Sequence, residues 1–292
     1  MTSKDTFFSK KTTLTCRGKL LDLSVPKVMG ILNVTPDSFY DGGRYVTMDA
    51  VKKRTEQMLS DGADILDIGA SSTRPGASQV TADEEMKRLS PVLSYIRKQY
   101  PEAILSLDTF RAEVADRAVS GYETDMVNDI SAGTADPLML KTIARHGVPY
   151  IMMHMQGDPA TMQVNPAYED VIKDIVAFFA DRIYQAVGAG ITDIIIDPGF
   201  GFGKTIRHNF QLLHGLKAFS MFELPVMAGL SRKSMIFKSL DTTAEGSLNG
   251  TTVLNTMALL NGASLLRVHD VKEAREAITL FLAYQEAGNN EG

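Results

Sequence analysis

The chain repeats one phrase of polarity. An amphipathic stretch ends in glycine, a short and almost continuously apolar run follows, and a polar residue closes it. SDGADILDIG (60–69), SGYETDMVNDIS (120–131), RHGVPYIMMH (145–154), GAGITDIIIDPG (188–199) and LNGASLLRVHD (260–270) all have this form. Runs this short, apolar and β-branched predict strands buried on both faces. Gly62, Gly121, Gly147, Gly190 and Gly262 fall where a helix ends in a left-handed residue before the next strand. VMGILNV (28–34), ILSLDT (104–109) and VMAGLS (226–231) bring the predicted strands to eight.

Helical patterns lie between these runs. Ile172, Ile175, Val176, Phe179, Ile183, Ala186 and Val187 share one face over 169–187. The last helix opens on DVKE, with Asp270 placed to cap it and Glu273 to reach back as in a capping box; Ala274, Ile278, Phe281 and Leu282 form its apolar stripe. Pro91 predicts that 82–100 breaks into two helical pieces. Parallel strands need crossovers, so the alternation predicts an α/β fold, a single (β/α)8 TIM barrel over 28–288. A doubly wound open sheet uses the same alternation and is the alternative. Residues 1–27 form an N-terminal extension with a short β-hairpin over 12–27, turning at Arg17-Gly18-Lys19.

Composition narrows the function classes. The chain has 292 residues, 44% hydrophobic and 22% charged, as in an ordinary globular barrel. Its net charge of −5 comes without a basic block, so neither nucleic acid nor an anionic membrane is an expected partner. Cys16 is the single cysteine, which excludes an intrachain disulfide and a thiolate metal cluster. MTSKDTFFSKKTT lacks the apolar core of a signal peptide, and no run reaches the roughly 18 apolar residues of a membrane helix. A cytoplasmic location is the expectation.

In such a barrel the C-terminal strand ends meet at one rim, where the chemistry is built. Those ends carry Asn33, Asp67, Asp108, Asn128, His154, Asp197, Ser231 with Lys233, and Arg267 with His269. Any one of them could cap a helix or close a turn; Asp270 reads as a cap, and Asp67 as lying behind the others. Together they form a ring that barrel stability does not require. Asp108, Asn128 and Asp197 offer acceptors suited to a planar two-donor edge. Arg74 in SSTRPGAS, Arg232 and Lys233 in GLSRKS, and Arg267 with His269 supply cationic donors for phosphate or carboxylate. The two sets facing one cavity predict a ligand with a donor-rich ring and an anionic tail.

NVTPDSFYDGGRY (33–45) and STRPGAS (72–78) are candidates for lids over that rim. No zinc motif is present, and a magnesium ion carried by a phosphate-bearing substrate, touched by one protein oxygen such as that of Asn33, fits better. IIIDPGFGFGKT (194–205) has the flavour of a phosphate loop, but Pro198 stands where G-x-x-x-x-G-K-[ST] needs its first glycine. The alternative is that Asp197 is the functional residue and the glycines are its frame, with the lysine and threonine misleading.

MGILNVTPDSFYDGG, STRPGA, VNDIS, MHMQG, DPGFGFGK, GLSRKS and RVHDV, in this order over roughly 28–272, resemble the dihydropteroate synthase family, the folate-pathway enzymes targeted by sulfonamides. The resemblance implies a (β/α)8 barrel, a homodimer, and transfer of 7,8-dihydro-6-hydroxymethylpterin from its diphosphate to 4-aminobenzoate, with magnesium, by an SN1-like route. It implies that Asp108, Asn128, Asp197 and Lys233 hold the pterin between Met153 and Phe202. Asn33 would bind the metal; Asn33, Arg74, Arg267 and His269 would hold the diphosphate. Phe39, Thr73, Arg74, Pro75 and Ser234 would form the aminobenzoate site, and Asp41, Asp108, Lys233 and Arg267 would serve catalysis. Ala70-Ser71 and Phe110-Arg111 depart from the family's frequent Gly-Glu and Ser-Lys. A methyltetrahydrofolate-dependent methyltransferase domain shares the Asp/Asn/Asp pocket, and a non-catalytic pterin-binding relative is the third reading.

Overall fold

The computed structural model describes residues 11–35, 47–71, 80–157, 162 and 166–289. Two antiparallel strands, β1 (Thr13–Cys16) and β2 (Lys19–Asp22), come first. Arg17 (φ 46°) and Gly18 (φ 75°) form the turn between them, both left-handed, as a two-residue turn matched to strand twist requires. The predicted hairpin is therefore present.

Eight parallel strands follow: β3 (Lys27–Asn33), β4 (Ile65–Gly69), β5 (Ile104–Asp108), β6 (Met126–Asp129), β7 (Tyr150–Met153), β8 (Ile194–Asp197), β9 (Met227–Ala228) and β10 (Leu265–Val268). Their order, β8-β7-β6-β5-β4-β3-β10-β9, is that of a barrel opened between β8 and β9. Ile196 and Val226 bridge that seam in parallel, and Ile196 N–H donates to the Pro225 carbonyl at 3.0 Å. The open sheet is thus set aside.

Side chains alternate across each strand. The outward set, including Leu66, Leu105, Val127, Tyr150, Ile194 and Leu266, packs against the helices. The inward set stacks in tiers. Met29, Ile65, Met126, Ile151, Ile195, Met227 and Leu265, with Ile104 beside them, form an apolar floor together with Leu14, Cys16, Leu21 and Leu23 of the hairpin segment. The hairpin therefore seals the barrel's N-terminal mouth. Arg17 and Lys11 hold it there through Asp125 and Asp193. Two residues further along five of the eight strands the inward position turns polar: Asp67, Ser106, Asn128, Asp197 and Arg267 follow Ile65, Ile104, Met126, Ile195 and Leu265. Period two thus places the polar tier directly above the floor.

Several local expectations are corrected. Helix α2 (Ala82–Gln99) runs through Pro91 without a break. Pro91 is exposed, while Met86, Leu89, Val92, Leu93 and Ile96 bury a continuous face on either side of it. Burial of roughly 1.5–3 kcal/mol per large apolar side chain outweighs one missing hydrogen bond. Gly121 lies inside α3 (Ala112–Tyr122), and the left-handed residue ending that helix is Glu123 (φ 52°). Gly62, Gly147, Gly190 and Gly262 have positive φ, as expected. In α5 (Val171–Gly188) the buried face runs through Ile175, Phe179 and Ala186 but includes Arg182, whereas Val187 is exposed. Arg182 is buried because its Nε donates to the Ala132 carbonyl at 2.9 Å, a bond that periodicity cannot foresee.

Candidate active site

Four strands deliver the centre of the site. Asp67 (β4) is fully buried, and its Oδ2 accepts from Asn128 Nδ2 (β6) at 3.0 Å and from Arg267 Nε (β10) at 2.6 Å. Arg267 then donates from Nη2 to Asp108 Oδ2 (β5) at 2.7 Å. Asp67, behind the ring in the sequence reading, is its hub. Binding the Asn128 amide through nitrogen leaves the Asn128 carbonyl oxygen as the acceptor for a ligand. The signal that marks Asp67 is a carboxylate at an inward position of an entirely buried five-residue strand.

Asp197 ends β8 on the opposite arc. Its Oδ1 accepts from Gly199 N–H at 2.8 Å. A Cβ placed on Gly229 would meet Asp197 Oδ2 and Lys233 Nζ at 3.8 Å each, and Arg267 Cβ at 3.9 Å. These three side chains therefore converge around one glycine that leaves them room. Lys233 Nζ also donates to the Phe200 carbonyl and lies 4.7 Å from the centre of the Phe202 ring. Met153 ends β7 and is buried, and its Cγ would lie 3.3 Å from a Cβ placed on Gly199 in the glycine turn that carries Phe202.

Burial dominates the electrostatics. It raises the Asp108 carboxyl to about 7, opposed by the Arg267 guanidinium beside it. It raises Asp197 as well, with Lys233, the Gly199 N–H and Arg267 pulling the other way. Burial lowers Lys233 to about 8, against the attraction of Asp197. A lysine and two carboxyls with pKa values drawn toward neutrality mark a candidate binding or catalytic centre.

The expected anion cluster is only partly free. Arg267 is engaged by two carboxylates, and Arg232 by Asp270, at 3.0 Å through Nε and 2.6 Å through Nη2. The Asp270 carboxylate, read as a helix cap, thus holds Arg232. His269 was expected as a cation, yet burial and the nearby Arg267 and Arg232 lower it to about 4. It is a neutral donor at pH 7. Ser231 Oγ lies 3.1 Å from His269 Nδ1; a hydroxyl donated there would leave the ring proton on Nε2 for an anion. Ser234 begins the short helix α7 (Ser234–Phe237), next to Lys233. Phe39, Asp41, Thr73, Arg74 and Pro75 lie outside the described residues.

Asn33 ends β3 at the rim, partly exposed. Among the described residues no group of three His, Cys, Asp or Glu could hold a metal. One amide oxygen is no cage, but it suits magnesium, which keeps its waters and takes most other ligands from a substrate's phosphates. Of the two departures, Arg111 bonds to Glu85 and, at 2.7 Å, to the Val80 carbonyl, outside the ring. Ala70 is buried and accepts from Arg88 through its carbonyl at 3.2 Å.

The glycine-rich turn is a frame. Gly199 (φ 73°), Gly201 (φ 81°) and Gly203 (φ 62°) are all left-handed. A Cβ on Gly199 would stand 1.9 Å from the backbone oxygen of His154. Gly199→Ala is expected to destabilise the fold by more than the about 1–2 kcal/mol of a left-handed non-glycine residue, because the backbone clash adds to it. A thermal melt unchanged from the parent would refute this. Thr205, the other misleading residue, caps helix α6 (Ile206–His214) in a capping box with His208.

His154 is buried against Phe178, ring centres 4.8 Å apart, and burial with Lys204 beside it lowers its pKa to about 3. Its neutral form is favoured in the folded state. That stabilisation is complete above the unfolded value near 6.5 and is lost as pH falls from there toward 3. We expect stability to decline below pH 6.5 by about 1.4 kcal/mol per pH unit for this proton, and His154→Gln to flatten the decline. Urea titrations from pH 7 to 4.5 with equal slopes for both chains would contradict it.

A family model described as pterin binding enzyme matches residues 29–269. The dihydropteroate synthase of Haemophilus influenzae is 42% identical over 276 residues, covering 94% of this chain and 99% of that protein. The crystal structure of Yersinia pestis dihydropteroate synthase with a sulfonamide drug complex superposes with a TM-score of 0.89 at 43% identity, covering 94% of this chain and 99% of that one. The Xanthomonas albilineans enzyme in complex with 7,8-dihydropteroate gives a TM-score of 0.83 at 39% identity, over 94% and 98% of the two chains. The eight-stranded barrel, its ring of Asp, Asn and Lys, and these likenesses together place the chain in the pterin-binding enzyme family, among the dihydropteroate synthases.

Proposed function

We propose that the chain joins 7,8-dihydro-6-hydroxymethylpterin diphosphate to 4-aminobenzoate, giving 7,8-dihydropteroate and diphosphate, as a homodimer in the cytoplasm with magnesium held at Asn33. The observation that carries the reading is the polar tier, in which Asp67 ties Asn128 and Arg267 into one layer facing Asp197 and Lys233. Asp197 and the Asn128 carbonyl would accept from the pterin's two-donor edge, and Lys233 would donate to its oxygen. Phe202 and Met153 would cover the ring. Phe39, Thr73, Arg74, Pro75 and Ser234 would receive the aminobenzoate.

The carbon–oxygen bond at the pterin methylene breaks with its electron pair leaving on diphosphate. Arg267 and neutral His269 would hold that group as charge develops. Magnesium, when bound, would offset part of the same charge. The cation left on the methylene is spread into the pterin ring, with Asp108 and Asp41 as the carboxylates that would face it. The aminobenzoate nitrogen then attacks, forms the carbon–nitrogen bond and releases its proton. An aryl amine needs no strong base for this, so water exclusion is the remaining task.

The homodimer reading is supported by an apolar groove between α8 (Leu248–Leu260) and α9 (Val271–Asn289), where Leu260, Leu280 and Tyr284 are exposed beside Phe281. No helix among the described residues is long and apolar enough to cross a membrane. The test is direct: pterin diphosphate, magnesium and 4-aminobenzoate are incubated with the protein and dihydropteroate is sought by mass spectrometry. Absence of product with pterin still bound would return the choice to the methyltransferase and non-catalytic readings.

A further inference from the structure

Lys204 belongs to the motif that first suggested a nucleotide, yet its side chain is only 4% exposed. Its Nζ donates to the carbonyls of Gly199 at 2.9 Å and Phe202 at 3.0 Å, and meets His154 Nδ1 at 3.0 Å. An ammonium has three N–H groups, and here each has an acceptor. The two carbonyls are the first and the last but one of the glycine turn Gly199–Gly203. One charge therefore spans the turn and fastens it to the residue that follows β7.

What the turn presents lies on its other contacts. Gly199 N–H holds Asp197 Oδ1 at 2.8 Å, the Phe200 carbonyl accepts from Lys233, and the Phe202 ring sits 4.7 Å from Lys233 Nζ. We propose that Lys204 is a positioning residue for the pterin: by bridging both ends of the glycine turn to His154 it sets Phe202 against Lys233 and aims the Asp197 carboxylate. The lysine touches no phosphate in this role. Left-handed glycines permit many turn shapes, so the curvature needs such a tie. Burial draws the lysine's pKa down to about 7, opposed by Asp197, and the charge it carries favours ionised Asp197 from behind.

The proposal rests on Asp197 and Phe202 being pterin contacts, and the experiment separates the two questions. Calorimetry with 7,8-dihydro-6-hydroxymethylpterin diphosphate, without 4-aminobenzoate, is run on the full chain and on Lys204→Met, Lys204→Gln and Thr205→Ala. Lys204→Met is expected to weaken binding by about tenfold, the equivalent of one charge-assisted hydrogen bond. It should raise KM for the pterin and leave KM for 4-aminobenzoate within about twofold. Lys204→Gln keeps two donors and should recover part of the affinity. Thr205→Ala removes only the cap of α6, lowering the melting temperature without changing pterin affinity. Unchanged affinity in Lys204→Met overturns the proposal, as does an equal loss in Thr205→Ala. Should Lys204→Met not fold, parental affinity in Lys204→Gln overturns it and an intermediate value sustains it. A parent chain that binds no pterin overturns the pterin reading itself.

Discussion

Asp197→Ala will weaken pterin binding by between about tenfold and a hundredfold, the effect of one lost charge-assisted pair at about 1.5–3 kcal/mol. The missing acceptor is not the only loss. Asp197 is the carboxylate whose attraction opposes the burial of Lys233, and its Oδ1 holds the Gly199 N–H at the entry to the glycine turn. Alanine would leave a half-buried ammonium and a buried N–H without that partner. Lys233 should then titrate lower, and the turn should lose its inner anchor. Calorimetric titration with the pterin diphosphate measures the effect, and parental affinity would remove Asp197 from the pterin site. Asp197→Asn serves as the companion variant, because it keeps the shape and one acceptor but none of the charge.

Arg267→Met is expected to lower the unfolding free energy by about 3–5 kcal/mol, the range for removing one partner of a buried ion pair. Arg267 is the bridge between Asp67 and Asp108, at 2.6 and 2.7 Å. Without it the fully buried carboxylate of Asp67 and the partly buried one of Asp108, on neighbouring strands, have no cation between them. Asp108, raised by burial to about 7 even with Arg267 beside it, should then keep its proton above neutrality, so the loss of stability will be smaller at pH 5 than at pH 8. Arg267→Lys should recover little, since a single ammonium cannot span both carboxylates as a planar fork does. Guanidinium titrations at the two pH values test this. A loss below about 1 kcal/mol at pH 8 would mean that the bridge does not hold the tier together.

Much of this was legible in the chain because a barrel strand declares itself locally. Ile65, Asp67 and Gly69, or Ile195 and Asp197, need only the rule of period two to fall on one inner wall, so the barrel and the positions of Asp108, Asn128, Asp197 and Lys233 followed from pattern. Relations across the barrel were not legible. Nothing near Asp67 in the chain announces Arg267, 200 residues away, so the hub was taken for a support. The same blindness made Arg232 and His269 look like free cations: the carboxylate of Asp270 and the burial that keeps His269 neutral exist only once β10 stands beside the turn after β9. Pro91 was misjudged for the converse reason. A local rule was applied where a continuous buried face decided the outcome.

The hairpin beneath the barrel has a kinetic consequence. Leu14, Cys16, Leu21 and Leu23 close the floor, so the tier that would read the pterin is the bottom of a vessel with its opening at the opposite rim. A molecule lodged against Asp67, Asn128 and Asp197 must arrive before anything seated higher and depart after it. Such a vessel would impose an order of visits, pterin first and pteroate last.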